Sequence, residues 1–228
     1  MLILAMESSA KPASVAICEG SALLGQYFQN SGLTHSRTLM AMVESLLNNL
    51  SIKAKELDLI AVAKGPGSFT GVRIGVSAAK GLGWSLDIPI AGVSALEAMA
   101  HQIPTPDVII CPVMDARRSQ VYNALFDRSD GNLIRLCDDR ALSLDELSLQ
   151  LSALGRPVLL VGDGAGLAFD YLSGAGVSCS IAPELMRWQT AYGVALASLD
   201  AVPVPAIELE PSYLRPSQAE REAAARKL

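Results

Sequence analysis

The chain has 228 residues, with 18 lysines and arginines against 23 aspartates and glutamates, for a net charge of -5. That length holds one domain or two small lobes with a real core, and the acidic balance excludes a protein that grips nucleic acid by its own charge. Half the residues are hydrophobic and only 18% are charged, a sparse polar surface that points to association with other chains.

Leu2 to Met6, Ala13 to Cys18 and Ala22 to Phe28 are strand candidates, parted by turn residues at Lys11-Pro12 and Glu19-Gly20-Ser21, and consecutive hairpins make them an antiparallel meander. A helix is expected from about Ser36 to Leu50, with Leu39, Met42, Val43, Leu46, Leu47 and Leu50 on its apolar face and Met40 widening the arc. Leu57 to Ala63 has the content of a buried strand. It leads through Gly-Pro-Gly-Ser-Phe-Thr-Gly into a helix-length run from Val72. Ile88 to Val93 reads as a strand, and Ser94 with Glu97 as a capping box for a helix to about Gln102.

Pro104-Thr-Pro106 reads as a hinge, after which the order restarts. Val108 to Met114, Gln120 to Asp127 and Leu133 to Cys137 are strand candidates, with a turn at Ser129 to Gly131. Ser143 with Glu146 is a second capping box, for a helix to Leu154. Pro157 to Val161 is a strand followed by a second glycine loop, Gly162 to Gly166, and Thr190 to Leu199 is a further helix. ILAMESSAKPASVAI aligns with CPVMDARRSQVYNAL, and IAVAKGPGSF with LLVGDGAGLA. The expectation is therefore an α/β chain of two lobes, residues 1–103 and a shorter 104–228 with a C-terminal tail, each running β-β-β-α-β-α. That topology resembles the ribonuclease-H-like architecture of the actin and sugar-kinase superfamily, an analogy that does not fix function.

The glycine loop is the sharpest local signal. Glycines before a helix N-terminus suit an anion, so Gly65, Gly67, Ser68 and Thr70 form a candidate anion loop. Its spacing matches neither phosphate motif. Five residues part Gly65 from Gly71, Val72 follows where a P-loop needs lysine, and GxGxxxG is one residue too long for a dinucleotide fingerprint. A structural turn is the plainer reading. At about 100° per residue, the following helix carries Gly71, Ile74, Gly75, Ala78 and Leu82 on one side and Val72, Val76, Ala79 and Gly83 on the other. Both sides are apolar or small, so one of them is expected to meet either more of its own domain or another chain. Arg73 and Lys80 stand together on one border.

The titratable candidates point away from catalysis. His35 stands beside Ser36 at a helix start, where capping or packing explains it better than base catalysis. Glu7 and Asp115 follow the first strand of each half, where kinases of this topology keep carboxylates, but Arg117 and Arg118 are simple partners for Asp115. Ser68 lies in no nucleophile elbow. Cys18, Cys111, Cys137 and Cys179 form no CxxC pair and read as reduced core thiols. With no basic leader and no membrane-length run, a cytoplasmic chain is expected.

LAMESS near the start, His35-Ser36, KGPGSFTGVRIG from Lys64 to Gly75, PVMDARRSQVY from Pro112 to Tyr122 and PSYLR from Pro211 to Arg215 give the chain its family resemblance. Over nearly its whole length it resembles the TsaB (YeaZ) family, with Glu7 where that family commonly shows Asp. The resemblance implies a non-catalytic accessory subunit in forming threonylcarbamoyladenosine in tRNA. Such a subunit pairs with the catalytic homologue TsaD, is joined by the ATPase TsaE and meets tRNA only through the complex, with a homodimer in isolation. It implies no catalytic or metal residues and no cofactor in this chain, with ATP and metal in the partner subunits. The homologue's metal is held by two histidines four apart on a helix, whereas His35 and His101 lie in different elements. Pairing through the first two helices assigns the seam to Leu39, Met40, Val43, Val72, Arg73, Val76, Ala79, Lys80 and Gly83. A small-molecule kinase of the same fold and, more remotely, a glycoprotease-like peptidase are the alternatives.

Overall fold

The computed structural model describes residues 1–117, 119–128 and 131–215. Strands β1 (Leu2–Glu7), β2 (Ala13–Glu19) and β3 (Ala22–Gln29) form the expected meander, with Ala5 opposite Ala16. β4 (Leu59–Gly65) runs parallel to β1, and β5 (Ile90–Ser94) runs parallel to β4, giving the order β3-β2-β1-β4-β5. Helices α1 (His35–Leu50) and α2 (Phe69–Leu86) cover one face, and α3 (Ala95–His101) covers the other.

Strand periodicity sorts the core. Leu4, Met6, Ile60 and Val62 face α1 and α2, whereas Ile3, Ala5, Leu59 and Ala61 face the opposite layer. Both sets are buried because this sheet is covered on both sides.

The second sheet has the order β10-β7-β6-β11-β12, with β8 paired to β6 and β9 to β8. Its strands are β6 (Ile109–Asp115), β7 (Gln120–Asn123), β8 (Phe126–Asp127), β9 (Ile134–Arg135), β10 (Arg140–Ser143), β11 (Val158–Val161) and β12 (Cys179–Ile181). Helices α4 (Leu144–Leu154) and α5 (Ala165–Gly174) pack on its outer face, and a single turn, α6 (Glu184–Arg187), follows β12. Among the described residues the last α-helix, α7 (Ala191–Ser198), returns to the first sheet and packs beside α3. It is apolar on nearly every side because all of it except half-buried Tyr192 and Leu196 is buried. At Gly193 an added Cβ would overlap the Ala98 carbonyl, so the two helices touch backbone to backbone. Ile110, Phe126 and Val161 of the second sheet join the same cluster, which makes α3 and α7 a layer shared by both sheets.

Several boundaries differ from the sequence reading. The strand expected over Gln120 to Asp127 is broken at Ala124-Leu125, where the buried Asn123 amide donates to the carbonyls of Pro112 and Ala124, at 2.9 Å each. The strand expected over Leu133 to Cys137 shrinks to β9, and β10 had no periodic signal. Helix α2 starts at Phe69 rather than Val72 because the Ser68 hydroxyl accepts from Gly71 N, 3.3 Å, as N-cap. The capping box at Ser143 and Glu146 is complete. At Ser94 only half of one forms: its hydroxyl accepts from Leu96 N and Glu97 N, but the Glu97 carboxylate turns to Arg135, 3.1 Å away. Two residues of the expected turn at Ser129 to Gly131 lie outside the described residues.

Candidate functional site

The LAMESS turn and the glycine loop are interlocked. Ser68 N donates to Ser9 O at 2.6 Å, and the Ser8 hydroxyl donates to Gly71 O at 2.9 Å. A Cβ on Gly67 or Gly71 would overlap the carbonyls of Ser9 and Ser8, so these glycines are required by two backbones in contact. Gly65, at φ +121°, lies under the Ser212 carbonyl in the same way. Thus the Ser68 N–H of the candidate anion loop is engaged within the chain, as is the Gly71 N–H, while Ser68 and Thr70 stay exposed at the rim.

Between the sheets lies a cleft of about 640 Å³, bordered by Ser9, Ser68, Asp115, Asp163, Tyr213 and Arg215 among others. Acids stand at the carboxyl ends of three strands here: Glu7 ends β1, Asp115 ends β6 and Asp163 lies in the turn after β11. Glu7 is fully buried. One carboxylate oxygen accepts from Ser9 N at 2.5 Å, and the other has no partner among the described residues. Burial pushes its pKa up to about 7, against the Ser9 hydrogen bonds and with help from the nearby Asp163 charge. Burial also raises Asp163, opposed by the Gln189 amide at 2.8 Å. Asp115 accepts from Arg117 N at 2.7 Å and pairs with that guanidinium at 3.7 Å, as expected; Arg118 lies outside the described residues. Asp163 and Gln189 were not singled out in the sequence, although the acid of GDG just past β11 mirrors Glu7 at the end of β1.

His35 does not cap its helix. Its Nε2 lies 2.8 Å from Ala10 O and ties α1 to the β1–β2 turn. Burial lowers the pKa of His101. Among the described residues no group of three or more His, Cys, Asp or Glu side chains is placed to hold a metal, and no helix is long and apolar enough to cross a membrane.

The segment from Ala206 to Arg215 straps the first lobe to the second. Lys80 Nζ donates to the carbonyls of Ile207 and Leu209, Ser212 N donates to Lys64 O at 2.7 Å, and Arg215 reaches across to Ala116 O at 2.9 Å. Tyr213 stacks on Phe69, centroids 4.8 Å apart, and its hydroxyl accepts from Arg73 Nε at 2.8 Å. PSYLR is therefore an internal fastener.

The helical seam expected from the sequence needs correction. Leu39, Val43, Val72, Val76, Ala79 and Gly83 are buried in the core between their helices and the first sheet, and at Gly83 an added Cβ would meet Ile90 and the Ile88 carbonyl. They cannot reach a second chain. The half-buried row is the other one, Ile74, Ala78 and Leu82, beside exposed Ser77, Gly81, Trp84 and Ser85; Met40 and Arg73 are exposed, and Lys80 is half-buried under the strap. Two apolar sides were legible, but periodicity does not say which of them the sheet covers.

The TsaB protein of Bacillus subtilis, named for tRNA threonylcarbamoyladenosine biosynthesis, is 41% identical over 167 residues, covering 73% of each chain. The chain belongs to the TsaB family. A second TsaB, from Buchnera aphidicola subsp. Schizaphis graminum, is 30% identical over 168 residues, 72% of this chain and 79% of that one. The model of the family described as "TsaD: tRNA N6-adenosine threonylcarbamoyltransferase" matches residues 29–168, so the TsaB-family chain is also similar to that family from before α1 into α5. In fold, YeaZ from Pseudomonas aeruginosa superposes with a TM-score of 0.78 over 93% of this chain and 99% of its own, at 24% identity. The Clostridium difficile activator of 2-hydroxyisocaproyl-CoA dehydratase, solved with ADPNP, reaches 0.51 at 11% identity, covering 100% of this chain and 98% of its own. The TsaB-family chain thus shares the two-sheet α/β fold of these two structures.

Proposed function

We propose that this chain serves in forming threonylcarbamoyladenosine in tRNA as a non-catalytic binding subunit. Its outward α1–α2 surface pairs with a TsaD-type transferase, or with a second copy in isolation. The pair takes up the ATPase TsaE, meets tRNA as a complex and leaves ATP and metal to the partner subunits.

The carrying observation is the outward side of α2. From Ile74 to Leu86 the helix holds one charged residue, Lys80, and its ammonium is held by the strap. A solvated helix face is ordinarily rich in charge. Here Ser77, Gly81 and Ser85 recur every four residues on exposed positions, and at Gly81 an added Cβ would meet nothing. Such a row admits a second helix at close range. Membership of the TsaB family supports the pathway, and the likeness to the transferase family supports pairing of homologous surfaces.

The test is size-exclusion chromatography with light scattering on this chain, alone and mixed with the transferase of the same organism. A stable 1:1 complex replacing any homodimer supports the reading; no complex, with or without nucleotide and TsaE, defeats it. One observation favours a second reading. The cleft, with Ser68, Thr70, Asp115 and Asp163 on its walls, has room for a small-molecule kinase's substrate. A large rise in melting temperature with Mg-ATP on the isolated chain would favour that reading.

A further inference from the structure

Arg73 stands in the second turn of α2, where a cation works against the helix dipole, and no ion pair involves it among the described residues. It is nevertheless held firmly. Its guanidinium carbon lies 3.8 Å from the Phe69 ring centroid and 5.7 Å from that of Tyr213, while Nε donates to the Tyr213 hydroxyl at 2.8 Å. Tyr213 is in turn fixed by the Phe69 ring and by the adjoining Ser212 hydrogen bond to Lys64. This clamp, in which Tyr213 comes from a segment 140 residues away, occupies Nε and sets the guanidinium over the Phe69 ring. The edge carrying the two Nη groups has no partner among the described residues, and the residue is exposed.

We propose that Arg73 is a preset carboxylate receptor, whose Nη edge takes an Asp or Glu side chain of the partner subunit bidentately while Phe69 and Tyr213 fix its direction. A planar fork matches a carboxylate with two parallel hydrogen bonds, and a side chain already immobilised gives up little rotamer freedom on pairing. The inference rests on the pairing reading and names the polar contact of that seam. A protein carboxylate is favoured over an RNA phosphate. The same side of α2 continues into Ile74, Ser77 and Ala78, and a phosphate track needs several free cations, whereas neighbouring Lys80 and Arg215 are each held within the chain.

The experiment measures association with the transferase subunit by biolayer interferometry for wild type, Arg73→Gln, Arg73→Lys and Tyr213→Phe, each first shown to melt like wild type. Both Arg73 variants are expected to weaken pairing about tenfold, mainly through faster dissociation, because an ammonium cannot reproduce the fork. Tyr213→Phe, which keeps the ring and loses the hydroxyl, weakens it less. If wild type pairs and Arg73→Gln pairs equally tightly, the receptor is refuted while the pairing reading stands. Failure of wild type to pair defeats the pairing reading, and the receptor with it. If Arg73→Gln leaves pairing intact but weakens tRNA binding by the assembled complex, the fork serves phosphate and the proposal is overturned.

Discussion

Replacing Glu7 with glutamine isolates the effect of one buried acid on stability. The folded chain holds this carboxyl up to about 7, against an ordinary 4.5, chiefly by burial. Below about 4.5 folded and unfolded chains are both protonated and burial costs nothing in charge. Between 4.5 and 7 the unfolded chain ionises while the folded one keeps its proton, so stability falls as pH rises, by up to about 1.36 kcal/mol per pH unit. Above 7 the loss levels off at about 3 kcal/mol, the product of that slope and the shift. Glutamine keeps the oxygen that accepts from Ser9 N and puts an uncharged amide at the unpartnered position. Urea denaturation of wild type and Glu7→Gln at pH 5 and pH 8.5 is the assay. The two should differ little at the lower pH, and the variant should be the more stable by about 2 to 3 kcal/mol at the higher. Equal pH dependence in both proteins would refute the assignment of a neutral buried acid.

Other positions yield sharper local tests. Val76→Glu, which forces a charge into the core between α2 and the sheet, should cost upwards of about 3 kcal/mol and unfold the first lobe, read by loss of the cooperative melt. Gly71→Ala should cost about 1 to 3 kcal/mol in denaturant titration, since its methyl group would overlap the Ser8 backbone. Gly81→Ala, in open space on the same helix, should instead raise stability by up to about 1 kcal/mol. Burial pushes the Cys111 thiol up to about 12 and Cys18 up to about 11, so both should resist iodoacetamide at pH 8 until the chain is unfolded, as mass spectrometry would show.

Much of the fold was legible because the first lobe obeys its local signals. The turns at Lys11-Pro12 and Gly20 set the meander, Ser143 and Glu146 cap α4, and the motif residues fall at strand ends. What escaped was decided by contacts distant in sequence. Nothing near Gln120 announces that Asn123 will satisfy the Pro112 carbonyl and break the strand, and Glu97 leaves its cap for Arg135 in another element. The candidate site divides in the same way. The glycines and acids stood out singly, whereas their interlocking with Ser8 and Ser9, and the burial that raises Glu7, are products of tertiary packing. The two apolar sides of α2 were legible, but the side taken for the seam is the one the sheet covers, because a helix wheel carries no information about where the sheet lies.

The order of synthesis gives the return of α7 and the strap a further meaning. On the ribosome, Ile3, Ala5, Ala61 and Met99 emerge long before Val194 and Ala195, which share their cluster, so the first sheet stays unfinished on one face until α7 arrives. The nascent protein must keep that alanine-lined face from aggregating while the whole second sheet is made. Loss of the chain from residue 191 onward would therefore be felt as instability in the first sheet, and a truncated product should be removed by proteolysis rather than persist as a free first lobe.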